Sequence, residues 1–289
     1  MTRVVCIHGI GQQHSGERQL HAAWHPALVD GLTRAADPSP ADPLPATDLT
    51  CVFYGDLFRP PGRPLGIQDP PRTAADVAEG LETELLLEWW AEAARTDPAV
   101  VSPDARTLAR TPRTVQRALN ALSRSRFFAG LAMRALVLDL QQVRAYLTDP
   151  DVHAKVRRRV EAAVTDDARM VVAHSLGSVV AYEALCAHPE WPVRSLLTLG
   201  SPLGIRNLVF ERLRVGEGGK PGDWPGGLER WTNIADVGDV VALAKDLRPL
   251  FGDRVRGHLV DNGAKAHDVA RYLCTAEAGE AVREGWRDG

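Results

Sequence analysis

The chain has 289 residues, a formal net charge of −3, and 45% hydrophobic against 25% charged residues. That is enough for one large α/β domain or two small ones, at the composition of an ordinary globule. The small charge excludes an electrostatic footprint for nucleic acid, and no uncharged apolar run approaches the ~20 residues of a membrane span.

Residues 3–7 form a short apolar run and read as a buried strand. The chain begins directly in that strand. It lacks the apolar region and cleavage site of a signal peptide, so a cytoplasmic location is expected. His8-Gly9-Ile10-Gly11 follows. Two glycines just past a strand let the backbone bend close to another group, such as an oxyanion that needs N–H donors. Residues 17–36 read as a helix, 37–45 as a Pro-rich linker, 49–54 as a second strand and 59–71 as a Pro-rich loop. Asp56 reads as a turn carboxylate.

Between 73 and 148 helical patterns replace strands. Leu81, Leu85 and Trp89 share one stripe, with Leu86 and Trp90 beside it. A weaker, basic helix is expected over 103–123. A more apolar one is expected over 127–147, with Leu136, Leu140, Val143 and Leu147 at helical spacing. A helical insertion over about 60–150 is where a lid over a site would sit; the alternative is helices packed on the core. Residues 151–165 read as a basic amphipathic helix.

The most informative stretch is Met170-Val171-Val172-Ala173-His174-Ser175-Leu176-Gly177. A β-branched run ends abruptly in a polar pair, and a small-residue turn and an apolar helix follow. A serine at such an apex is pushed out at the carboxyl edge of a sheet. Small residues two before and two after it allow strand and helix backbones to approach. This is the G-x-S-x-G nucleophile elbow with Ala173 in the first position. Further strands are expected over 193–200, 231–235 and 254–260. The region 215–227 reads as a mobile surface loop. Strand–helix–strand units of this length imply a mostly parallel sheet flanked by helices. In the last strand Val255 and Leu259 alternate with Arg254, Arg256 and His258, which predicts one polar face at a sheet edge. The four cysteines, Cys6, Cys51, Cys186 and Cys274, form no C-x-x-C pair and read as reduced core side chains, not as disulfides or metal ligands.

A serine hydroxyl becomes a nucleophile when an imidazole takes its proton, and the imidazole in turn needs a carboxylate. In an elbow fold the order is serine, acid, histidine, the last two on loops after later strands. Among the downstream histidines, His188 ends the elbow helix and His258 lies within a strand. His174 adjoins Ser175, and only His267 follows the last strand in a loop. Asp236 and Asp239 both qualify as the acid. Asp236 ends its strand, whereas Asp239 stands in the turn beyond it, from which a carboxylate can reach across the next loop, and it is the preferred candidate.

On these residues the chain resembles the α/β-hydrolase superfamily, and within it small bacterial serine lipases and esterases. The matching positions are His8-Gly9-Ile10-Gly11, Ala173-His174-Ser175-Leu176-Gly177, Gly238-Asp239-Val240-Val241 and His267. The resemblance implies one α/β-hydrolase domain over 1–289 with the helical insertion inside it. It also implies a Ser175–His267–Asp239 triad and an oxyanion hole made by the Ile10 and Leu176 N–H groups. It carries no cofactor and no metal. Its substrates would be small-molecule esters or lipids; the same triad would equally serve a peptidase or a thioesterase, a non-catalytic binding or assembly protein on this fold is the rival reading, and peripheral contact of the helical insertion with a bilayer is a further option. A long apolar tunnel above Ser175 would indicate lipids, and an open polar cleft small esters or peptides.

Overall fold

A strand shielded on both sides must be apolar at every position, and Val4–Ile7 meets that condition with all four residues buried. It is β1 of the computed structural model, which describes residues 3–35, 44–59, 72–103, 111–125, 133–216 and 218–287. The other strands are β2 (Leu49–Val52), β3 (Met170–His174), β4 (Ser195–Leu199), β5 (Arg230–Asp236) and β6 (Val255–Val260). They form a six-stranded open sheet in the order β2-β1-β3-β4-β5-β6, with every neighbouring pair parallel.

Alternate side chains along each strand feed two apolar layers. On one face Val4, Cys6, Val172 and Leu197 meet Leu20, Trp24 and Leu28 of α1 (Glu17–Ala35). On the other, Val5, Ile7, Val171 and Leu196 meet α2 (Leu81–Thr96), α3 (Pro112–Arg124), α4 (Met133–Thr148), α5 (Pro150–Ala163) and α6 (Leu176–Ala187). Three later helices are α7 (Arg248–Phe251), α8 (Val269–Leu273) and α9 (Ala276–Arg287), and α9 packs beside α1 through Val282 and Trp286. The chain runs from β1 outward to β2, then back across to β3. The order therefore reverses between β1 and β3. In open α/β sheets the carboxyl ends of two such strands border a binding crevice.

The first helix between β2 and β3 starts later than a helical pattern beginning at Thr73 suggests. Thr73 caps only a short turn over 74–76, where its side chain and that of Asp76 form a reciprocal capping box. The backbone then turns at Gly80, whose φ of +81° ends any continuous helix, and α2 begins at Leu81. In α3, Thr111 caps the N-terminus by accepting from the Thr114 N–H, and Pro112 occupies the first turn. The expected starts at 103 and 127, the linker over 37–45 and the loop over 59–71 lie largely outside the described residues. The Leu and Trp stripes of α2 and α4 are buried in the core.

One expectation needs correction. At the sheet edge Leu259 is 60% exposed and His258 is half-buried, so the alternation does not divide β6 into an apolar and a polar face. In the region expected as a surface loop, Asp223 and Trp224 are tied to their surroundings. Tyr182 donates to the Asp223 carbonyl at 2.8 Å and Trp224 to that of Leu228 at 2.9 Å, and the Arg254 guanidinium lies over the Trp224 ring. All four cysteines are free thiols; Cys6 and Cys51 are buried and Cys186 and Cys274 half-buried. Among the described residues no helix is long and apolar enough to cross a membrane.

Candidate active site

β3 ends at His174 and α6 begins at Leu176, so Ser175 alone makes the turn. Its φ is +54° and ψ −129°, a conformation that L residues seldom adopt and that costs about 1–3 kcal/mol unless the surroundings impose it. Here the Ser175 N–H donates to the Leu199 carbonyl at 2.9 Å. Gly177 then lets α6 lie against β1, because a Cβ there would reach the His8 carbonyl oxygen at 2.5 Å. Close approach of strand and helix is the reason for a small residue two past the serine.

The loop after β6 delivers His267 to this apex. Its Nε2 lies 2.9 Å from Ser175 Oγ and its Nδ1 2.7 Å from Asp239 Oδ2. An ionised Asp239 can only accept, so Nδ1 carries the proton and Nε2 is free to accept from the serine hydroxyl. Asp239 is fully buried. Its Oδ1 accepts the Val241 and Ala242 N–H groups at 2.8 and 3.3 Å, and its Oδ2 also accepts the Tyr272 hydroxyl at 2.7 Å. Burial by itself would raise this carboxyl. The charge and hydrogen bond of His267, the Tyr272 hydroxyl and the charge of Lys245 outweigh it and hold the group at about 2. Gly200 leaves the room: at φ +55°, a Cβ on it would stand 2.7 Å from Asp239 Oδ2 and 3.0 Å from His267 Nδ1.

Asp236 does not reach the imidazole. Its Oδ1 accepts the Gly238 N–H at 2.7 Å and its Oδ2 that of Asn262, so it ties the β5 turn to the loop after β6. Burial raises its carboxyl, against those two backbone hydrogen bonds. The remaining downstream histidines stand elsewhere. His188 caps α6 and stacks on Trp191, while His258 stays in β6. His174 packs its ring 4.6 Å from that of His267 and hydrogen-bonds the His267 carbonyl at 3.0 Å. Desolvation, aided by the neighbouring His267, lowers His174 to about 3, so it is neutral and its Nε2–H steadies the loop. Asp56 pairs with Arg159 at 2.9 Å, away from Ser175.

The His8–Gly11 loop meets the serine from β1. A Cβ on Gly9 would lie 2.6 Å from Ser175 Cβ and 3.1 Å from its Oγ. His8 anchors the loop: its Nε2 accepts the Tyr54 N–H at 3.1 Å and its Nδ1–H donates to the Gly9 carbonyl at 2.6 Å. Its ring stacks on Tyr54, and desolvation lowers it to about 4. On the far side Gly11 donates to Gln142 Oε1 of α4 at 3.1 Å. Ile10 sits between these two anchors, and Leu176 is the first residue of α6, where an N–H has no intrahelical acceptor.

A cleft of about 370 Å³ opens above Ser175 and His267, within the size range of small-molecule sites. A second, wholly apolar void of about 10 Å³ lies beneath Ser175 among Ile10, Leu85, Trp89, Val143 and Val179, which is room for about one water-sized group. Neither is a long apolar tunnel. Among the described residues no His, Cys, Asp or Glu cluster could hold a metal ion.

Sequence reasoning missed Tyr272, Gln142 and the loop-steadying role of His174. Tyr272 lies five residues past His267, one helical turn or so along α8, and that spacing was the available signal. Comparison of the chain with protein-family models, with curated proteins and with solved structures gave no match.

Proposed function

We propose that the protein is a serine hydrolase acting on carboxylic esters, with Ser175 as nucleophile, His267 as general base and Asp239 as its orienting acid. The observation that carries this reading is the continuous chain Ser175 Oγ–His267–Asp239, at 2.9 and 2.7 Å, on a strained apex beside a glycine loop. The parallel sheet and its switch point are compatible with the α/β-hydrolase resemblance.

In this mechanism His267 Nε2 takes the Ser175 hydroxyl proton as Oγ bonds to the ester carbonyl carbon. The carbonyl oxygen becomes an oxyanion held by the Ile10 and Leu176 N–H groups. A donor of that kind is worth about 2.7–4 kcal/mol in other hydrolases. The C–O bond then breaks, and the leaving alcohol takes the proton from Nε2. Water, deprotonated by the same nitrogen, attacks the acyl carbon; the acyl–Oγ bond breaks as Ser175 Oγ takes the proton back from Nε2, and the acid is released. Asp239 stays ionised throughout and stabilises the imidazolium. The small apolar void under Ser175 suits a short acyl group, and the wider cleft suits the alcohol.

Hydrolysis of a short-chain p-nitrophenyl ester tests this. Ser175→Ala should lose at least about 10³-fold in kcat/KM with the thermal transition retained. Undiminished turnover would overturn the assignment.

A further inference from the structure

Five ionisable side chains share the cleft with His267: His8, His174, Asp139, Lys265 and Asp268. Four are accounted for. His8 is bonded to Tyr54 and Gly9, His174 to the His267 carbonyl. Asp268 caps α8 by accepting the Ala270 and Arg271 N–H groups, and Lys265 is exposed at the mouth. Asp139 makes no hydrogen bond or ion pair among the described residues. It projects from α4, whose Leu136, Val137, Leu140 and Val143 are all buried in the core. Its Oδ1 stands 3.7 Å from where a Cβ on Gly11 would be, one residue from the Ile10 N–H.

An unpaired carboxylate in that place opposes the chemistry. The side chain is half-buried, so a carboxylate there gives up part of its solvation, and its charge repels an oxyanion forming beside Ile10. Desolvation pushes the group up to about 7, with His267 as the opposing influence. Near neutral pH it is therefore poised to ionise, and a cation beside it would remove both penalties. The void beneath Ser175 has no charged wall, which places a charged group on the leaving-alcohol side.

We propose that Asp139 is a specificity-determining residue that selects esters whose leaving alcohol carries a cationic ammonium group. This rests on the ester-hydrolase reading above. The carboxylate pairs with the ammonium while His267 and Ser175 act on the ester carbonyl.

The test compares two short-chain esters of equal shape, one with a trimethylammonioethyl alcohol and one with carbon in place of the nitrogen. At pH 8 the wild-type protein should favour the cationic ester in kcat/KM by about tenfold or more; the quaternary nitrogen has no N–H to donate, so the preference is charge attraction alone, which reaches a few kcal/mol at an effective dielectric of about 20. Asp139→Asn should bring the ratio close to one. In the wild type the ratio should also grow from pH 6 to pH 8 as Asp139 ionises, a readout that needs no variant. Equal turnover of the two esters in the wild type, or a preference that survives in Asp139→Asn, would overturn the proposal. Calorimetric binding of the same two esters to Ser175→Ala separates this from the parent reading. Preferential binding of the cationic ester without any wild-type turnover would leave Asp139 in its role and reject the hydrolase. Equal binding would reject the role of Asp139 whatever the turnover.

Discussion

At the rim of the sheet, Ser175, Asp239 and His267 are positioned by hydrogen bonds to fixed partners: the Leu199 carbonyl, the Val241 and Ala242 N–H groups, and the Tyr272 hydroxyl. In the helical wall, Trp89 of α2 and Leu140 and Val143 of α4 are held by apolar contact in the core. The first kind of restraint is directional and fixes atoms to tenths of an ångström. The second is non-directional and fixes volume. Chemistry that needs a proton transferred across 2.9 Å can be built on the rim, and the wall can supply shape and, at Asp139, charge.

That contrast can be broken at graded points. The largest effect is expected at Asp239. Asp239→Asn leaves the shape but reverses the hydrogen-bond polarity toward Nδ1, and ester turnover should fall by about 10⁴ in steady-state kinetics. Asp236→Asn, three residues earlier, should lose turnover at least a hundredfold less, because its partners are the Gly238 and Asn262 amides rather than the imidazole. A comparable loss in both would show that the two acids are not separated as described. Tyr272→Phe removes one of the charge-assisted hydrogen bonds on Asp239. Such bonds are worth about 1.5–3 kcal/mol, so kcat should fall about tenfold or more with little change in KM.

Leu140→Ala probes the other side of the contrast. It opens a cavity at a fully buried position of α4 and should lower unfolding free energy by about 2–5 kcal/mol, measured by urea denaturation. The rate of Ser175 acylation per folded molecule should stay close to wild type. The mildest effect concerns acid stability. Folded His8 remains neutral down to about pH 4, whereas an unfolded histidine takes a proton near 6.5. The unfolded state thus binds more protons between those values, and the stability contributed by neutral His8 is present above about 6.5 and lost as pH falls toward 4. His8→Gln should flatten the stability profile over that window by one proton, up to about 3 kcal/mol. An unchanged slope would show that His8 is not buried as described.

The rim was the more legible region. β1, β3 and β4 are covered on both faces, so they appear as unbroken apolar runs. The turn at Ser175 appears because its neighbours must be small. His267 and Asp239 could be singled out because loops after strands carry few residues able to act. The wall was less legible. An acid at 139 on an amphipathic helix looks like part of a solvated face, and nothing local shows that Gly11 leaves space for it. Gln142 reaches Gly11 across 131 positions of sequence, and Tyr272 reaches Asp239 across 33; contacts of that range leave no periodicity to read. Helix starts at Leu81 and Pro112 depended on a positive φ at Gly80 and a cap at Thr111, which apolar spacing does not encode.

The most direct measurement is covalent. Treat the intact protein with a fluorophosphonate and locate the adduct by peptide mass spectrometry. A single phosphonylated site at Ser175, formed in the wild type and lost in His267→Ala, is the outcome expected of an activated serine. Absence of an adduct on Ser175 at concentrations that modify a known serine hydrolase, or an equal rate without His267, would contradict it.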